Sequence, residues 1–101
     1  VSAGPQLAEL VQAELDAATL DALERDLAAL TMVLDVQVKG AAATYAAGTG
    51  TALAEALAAL RAGTVRGVQV RYAYQQEIWW DTLLRSPAGV RLVRLRAPDP
   101  G

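Results

Sequence analysis

The sequence predicts an α+β fold in two layers, with helices packed on one face of an antiparallel sheet. Three observations carry this. Leucines recur at helical spacing in the first third and again over 51–62. Apolar and polar residues alternate over 32–39 and then in three successive segments between 66 and 96. Those last three segments are joined by only a few residues each, which is hairpin spacing and therefore antiparallel pairing. At 101 residues the chain has material for one core, so 1–101 reads as a single domain.

The elements follow in order. Gly4-Pro5 opens a helical region over 5–30, with proline suited to a first helical position. Leu7, Leu10, Val11 and Leu15 share one face, and Leu20, Leu23, Leu27 and Leu30 form a second stripe. The stripe changes phase between Leu15 and Leu20, which favours two helices with a break near 16–19, capped by Asp16 or Thr19. Over 32–39, Met32, Leu34, Val36 and Val38 alternate with Val33, Asp35, Gln37 and Lys39, giving a strand that Gly40 ends and that joins the sheet at an edge. The alanine-rich stretch 41–48, with its single Tyr45, matches neither period. Thr49 or Thr51 caps a helix over 51–62 that aligns Leu53, Leu57 and Leu60, carries Arg61 in its last turn and stops at Gly63. Strands 66–74, 78–84 and 90–96 form a meander, and Pro98 and Pro100 mark a short extended tail over 97–101.

Strand register decides which side chains are covered, because a one-residue slip moves all of them to the other face. A three-residue loop at Gln75-Gln76-Glu77 sets Tyr74 against Ile78, Tyr72 against Trp80, Val68 against Leu84 and Arg71 against Asp81. A two-residue loop would oppose Val70 to Asp81 and Arg71 to Trp80, so the longer loop is expected. Around 86–89, the favourable register pairs Trp80 with Leu95, Thr82 with Val93, Leu83 with Leu92, Asp81 with Arg94 and Trp79 with Arg96. Together these choices put Val68, Val70, Tyr72, Tyr74, Ile78, Trp80, Thr82, Leu84, Val93 and Leu95 under the helices. The outer face is then expected to carry Arg71, Trp79, Asp81, Leu83, Leu92, Arg94 and Arg96.

Composition narrows the function classes. The chain has no Cys and no His, which removes disulfides, cysteine nucleophiles and histidine-based triads. Net charge is −2, so whole-molecule attraction to nucleic acid or anionic lipid is not expected. Charge is nevertheless split: residues 1–60 balance to −6 and 61–101 to +4, which reads as two halves facing each other in one fold. No apolar run approaches a membrane span and no charged-then-apolar leader is seen, so no membrane partner is expected. The absence of cysteine fits a reducing cytoplasm. One lysine against eight arginines, with abundant alanine, points to a GC-rich bacterial genome.

No motif carries chemistry. Gly48-Thr49-Gly50-Thr51 precedes a helix, but Leu53 stands where a dinucleotide fingerprint needs glycine and no phosphate-loop lysine follows. Asp81, flanked by arginines across the strands, reads as a structural ion pair, and the acids of 14–26 are spaced as the solvated side of a helix. No catalytic residue, metal site or cofactor is therefore expected. The leading expectation is a non-catalytic interaction or accessory module that uses the outer patch of Trp79, Leu83 and Leu92, rimmed by arginines, to pair with itself or another protein. In that reading Trp80 belongs to the core. A second class is a single-stranded nucleic-acid binder, with Trp79 stacking on a base while Arg71, Arg94 and Arg96 contact phosphates. A third is a small-ligand pocket lined by Tyr45, Tyr72, Tyr74 and Trp80; ordinary core packing accounts for these aromatics, and no enclosed polar pocket is expected.

Overall fold

The computed structural model describes residues 10–40, 50–87 and 89–97. The elements are β1 (Leu10–Leu15), α1 (Ala17–Leu30), β2 (Met32–Lys39), α2 (Gly50–Ala62), β3 (Gly67–Tyr74), β4 (Glu77–Ser86) and β5 (Gly89–Arg96). One five-stranded sheet has the order β1-β5-β4-β3-β2, and every neighbouring pair is antiparallel. Both helices pack on the same side, so the fold is the two-layer α+β arrangement expected. β1 and β2 run parallel at opposite edges, and α1 carries the chain between them. The expectations for residues 5–9, Tyr45 with 41–48, the Thr49 cap and the tail from Pro98 onward lie outside the described residues.

One element differs from its expected type. Residues 10–15 form a strand rather than part of a helix. Ala13 and Leu15 pair with Leu92 and Val90 of β5 and face the core, while Gln12 and Glu14 point away from the helices. The alternation was concealed because its inward member Ala13 is small, leaving Leu10, Val11 and Leu15 to mimic a helical stripe. Asp16 then caps α1: the Thr19 amide donates to its Oδ1 at 2.8 Å. Leu20 and Leu27 are buried and Leu23 packs at the margin, whereas Leu30 stays exposed.

β2 takes its expected place at an edge, beside β3, but its alternation is interrupted. The register shifts between Val33 and Asp35, so Leu34 is the extra residue of a bulge. Val33 therefore joins Val36 and Val38 on the covered face, and Met32 is exposed. In α2, Leu53, Ala56, Leu57, Ala59 and Leu60 are buried in one stripe. Gly63 ends the helix at φ +84°, a left-handed conformation that suits glycine, and its amide donates to the Leu60 carbonyl.

The second hairpin has every expected pair, from Trp79↔Arg96 to Leu83↔Leu92. Gly89 closes it at φ +140°, where a β-carbon would lie 2.6 Å from the Leu15 carbonyl oxygen of β1. The acidic and basic halves meet as expected: Arg61 of α2 pairs with Asp21 and Glu24 of α1 at 2.9 and 2.7 Å, and Arg91 lies 3.8 Å from Glu14. Among the described residues, no helix is long and apolar enough to cross a membrane.

Candidate functional site

The first hairpin overturns the expected face assignment. Its loop is the two residues Gln75 and Gln76, at φ +53° and +69°, the pair of positive values that a tight type I′ turn requires. Tyr74 thus pairs with Glu77, Tyr72 with Trp79, Val70 with Asp81 and Val68 with Leu83. Directly opposed residues share a face. Val68, Val70, Tyr72 and Tyr74 remain on the helix side as expected, but β4 and β5 are turned over. Trp79, Asp81, Leu83 and Leu92, expected outside, are buried under the helices. Arg94 and Arg96 share their side, while Arg71, opposite Trp80, stays on the open face.

A buried carboxylate makes this register tolerable. Asp81 is fully buried, and it is satisfied by three hydrogen bonds from two side chains. Arg94 Nε donates to Oδ1 at 2.9 Å, Arg94 Nη2 donates to Oδ2 at 2.8 Å, and the Tyr72 hydroxyl donates to Oδ1 at 3.0 Å. The bidentate pairing is a strong, geometrically fixed form of ion pair. Burial, and then the charge of Asp81, push the Tyr72 hydroxyl well above the usual tyrosine range. Burial alone would weaken the charge on Arg94, but hydrogen bonds to Asp81 and its charge outweigh that and raise the guanidinium further. The expected ion pair with Arg94 is present, and Tyr72 takes the place expected of Arg71. Trp79 Nε1 is buried beside this cluster without a hydrogen-bond partner.

The open face is the second feature. It carries Ile78, Trp80, Thr82 and Leu84 of β4, Val93 and Leu95 of β5, and Gln69 and Arg71 of β3. Neither α1 nor α2, the helices among the described residues, lies over it. Trp80, Leu84 and Leu95 are 38%, 37% and 46% exposed. Gln69 Nε2 donates to Thr82 Oγ1 at 3.2 Å, so the polar pair within this patch is internally satisfied. Leu84 lies over Gly67, where a β-carbon would meet its Cδ2 at 2.7 Å. The expected arginine rim is largely elsewhere: Arg94 is held by Asp81, and Arg96 lies 3.0 Å from Glu77 on the helix side. Trp80, Leu84 and Leu95 were therefore missed as surface residues, and the signal that would have found them is the length of one turn.

A third feature is an open cleft of about 100 Å³ between the C-terminal half of α1 and the sheet. Tyr72, Tyr74 and Arg94 line it from the sheet, and Leu23, Asp26, Leu27, Leu30 and Thr31 from the helix side. Two of the tyrosines considered from sequence therefore do meet an acid at a cavity, although Trp80 lies on the other face of the sheet. No protein family, curated protein or solved structure matches this chain.

Proposed function

We propose that the protein is a non-catalytic assembly module that pairs with a second copy of itself across the open sheet face. The observation that carries this is the half-exposed cluster of Trp80, Leu84 and Leu95 on a sheet face that neither α1 nor α2 covers among the described residues. Contiguous apolar patches of this kind mark interaction surfaces, and tryptophan is enriched at their energetic centres. Five strands spaced about 4.8 Å apart, each contributing about seven residues, present a face of about 24 by 24 Å. Two such faces bury about 1,200 Å², the lower bound for a specific, stable interface. Two sheets meeting this way form a sandwich with interdigitating side chains. The charges around the patch are of both signs, Glu14 and Arg91 along one edge and Asp35 and Lys39 along the other. A two-fold pair is therefore not opposed by a field of one sign.

Support for a non-catalytic role comes from the chemistry of the side chains. The chain has no His or Cys, and the one buried carboxylate among the described residues is committed to Arg94 and Tyr72. A cytoplasmic location belongs to the same proposal, since a chain without disulfides needs no oxidising compartment. Sedimentation equilibrium over a wide concentration range tests the proposal. A reversible dimer is expected, and Trp80→Ser combined with Leu95→Arg should give a monomer that melts as cooperatively as the parent. A parent that stays monomeric at millimolar concentration would refute self-pairing. Salt-sensitive binding of single-stranded RNA, abolished by Trp80→Ser, would instead assign the face to nucleic acid.

A further inference from the structure

We propose that the cleft under the C-terminal half of α1 binds a small organic cation, an ammonium group carried on a compact apolar body. This rests on the covered side of the sheet and is independent of pairing across the open face.

The charge balance of the cleft sets the sign of the ligand. Arg94 is the cation among its described lining residues, and its Nε and Nη2 both bond to Asp81. That pair cancels. Asp26, on the exposed rim, has no ion-pair partner among the described residues. The cleft also lies at the C-terminal end of α1, where aligned peptide dipoles leave partial negative charge. No basic residue stands in the last turn to answer it. Thr31 Oγ1 donates to the Leu27 carbonyl at 2.7 Å and satisfies one of the terminal carbonyls. What remains is a net negative site.

The walls set the rest. Tyr72 is fixed by its hydrogen bond to Asp81, and Tyr74 stands two residues along the same strand on the same face. Electron-rich tyrosine faces attract cations, and aromatic cages are a recurrent solution for quaternary ammonium groups. Leu23, Leu27 and Leu30 supply an apolar wall, and Leu30 extends it to the mouth, where it is 63% exposed. A volume of about 100 Å³ is somewhat smaller than the roughly 150 Å³ cavity that takes up a benzene molecule, which fits a methylated ammonium headgroup at an open mouth and excludes a folded chain segment.

The test is a nuclear magnetic resonance titration of the full chain with choline, with its uncharged isostere 3,3-dimethylbutan-1-ol, and with acetate. Choline should give saturable shifts centred on Leu23, Leu27, Thr31 and Tyr74. The neutral isostere and the Asp26→Asn variant should each show about three- to tenfold weaker binding. Because Asp26 is exposed, this variant keeps the parent fold, and Tyr74→Leu serves as a second, independent weakening. Equal binding of the neutral isostere, an unchanged affinity in Asp26→Asn, preference for acetate, or no saturable shift with choline would each overturn the proposal.

Discussion

Arg94 and Asp81 stand opposite each other on β5 and β4, joined by two hydrogen bonds of 2.9 and 2.8 Å at a point where the carboxylate has no exposed surface. An ion pair in such a place is not free stabilisation, since removing both charges from water costs several kcal/mol each. Its parts are interdependent. Arg94→Met should destabilise the fold by about 3–5 kcal/mol because it strands a buried carboxylate. Replacing the group together, with Asp81→Leu, Arg94→Met and Tyr72→Phe, should recover most of that loss. Urea unfolding midpoints read both outcomes.

Trp79 and Trp80, adjacent in sequence, should behave as opposites. Trp79 is 3% exposed within the core, and Trp79→Ala should cost about 3–5 kcal/mol. Trp80→Ala should cost the monomer less than about 1 kcal/mol, while weakening self-association. This reverses the roles that sequence alone assigns to the two indoles, and thermal unfolding beside sedimentation separates them.

That reversal shows where the sequence was legible. The alternation of β3, β4 and β5, the second hairpin's register and the Asp16 cap all follow from local pattern, because period and turn chemistry are local properties. The face of β4 is not local. Both of its sides are apolar, Trp79 and Leu83 on one and Ile78, Trp80 and Leu84 on the other, so the deciding residue is Asp81. A charge opposite Val70 looks forbidden until Tyr72 and Arg94 are found reaching it from neighbouring strands. Likewise the bulge at Leu34 switches the phase of β2 partway, so neither alternating set read from 32–39 is the buried one throughout. The cleft was half visible: its tyrosines share a strand face, but Asp26 comes to line it only through the packing of α1.

The Gln75-Gln76 turn is a locally unfavourable choice. Both residues hold positive φ, which costs an L-residue about 1–2 kcal/mol. Substituting Gln75→Asn and Gln76→Gly, the preferred type I′ pair, should raise stability by about 1 kcal/mol, or about 4–8 °C in Tm. If the loop were instead three residues long, the same change would bring no gain.

Two side chains give opposite pH dependence. The folded pKa of Tyr72 is raised, chiefly by burial. Its contribution to stability is therefore full below the unfolded value near 10 and is lost as pH rises through the higher folded value. At pH 11 the folded protein and Tyr72→Phe should show the same tyrosinate absorbance at 295 nm, and should differ by one tyrosine once denatured. Asp16 is the reverse case. Hydrogen bonding from Thr19, side chain and amide, lowers its pKa. Its capping contribution is full above about pH 4 and is lost as pH falls through the lower folded value, so Asp16→Ala should lower Tm at pH 7 by more than at pH 2.

In the proposed dimer the face bearing Trp80 meets the same face of a second copy. Isotope-filtered nuclear Overhauser spectroscopy on an equal mixture of labelled and unlabelled protein tests it directly. Cross-peaks between the Trp80 indole of one copy and the methyl groups of Leu84, Val93 or Leu95 of the other are the predicted result. Filtered spectra empty at millimolar concentration, with monomeric tumbling, would contradict the claim, and so would intermolecular contacts confined to the helical face.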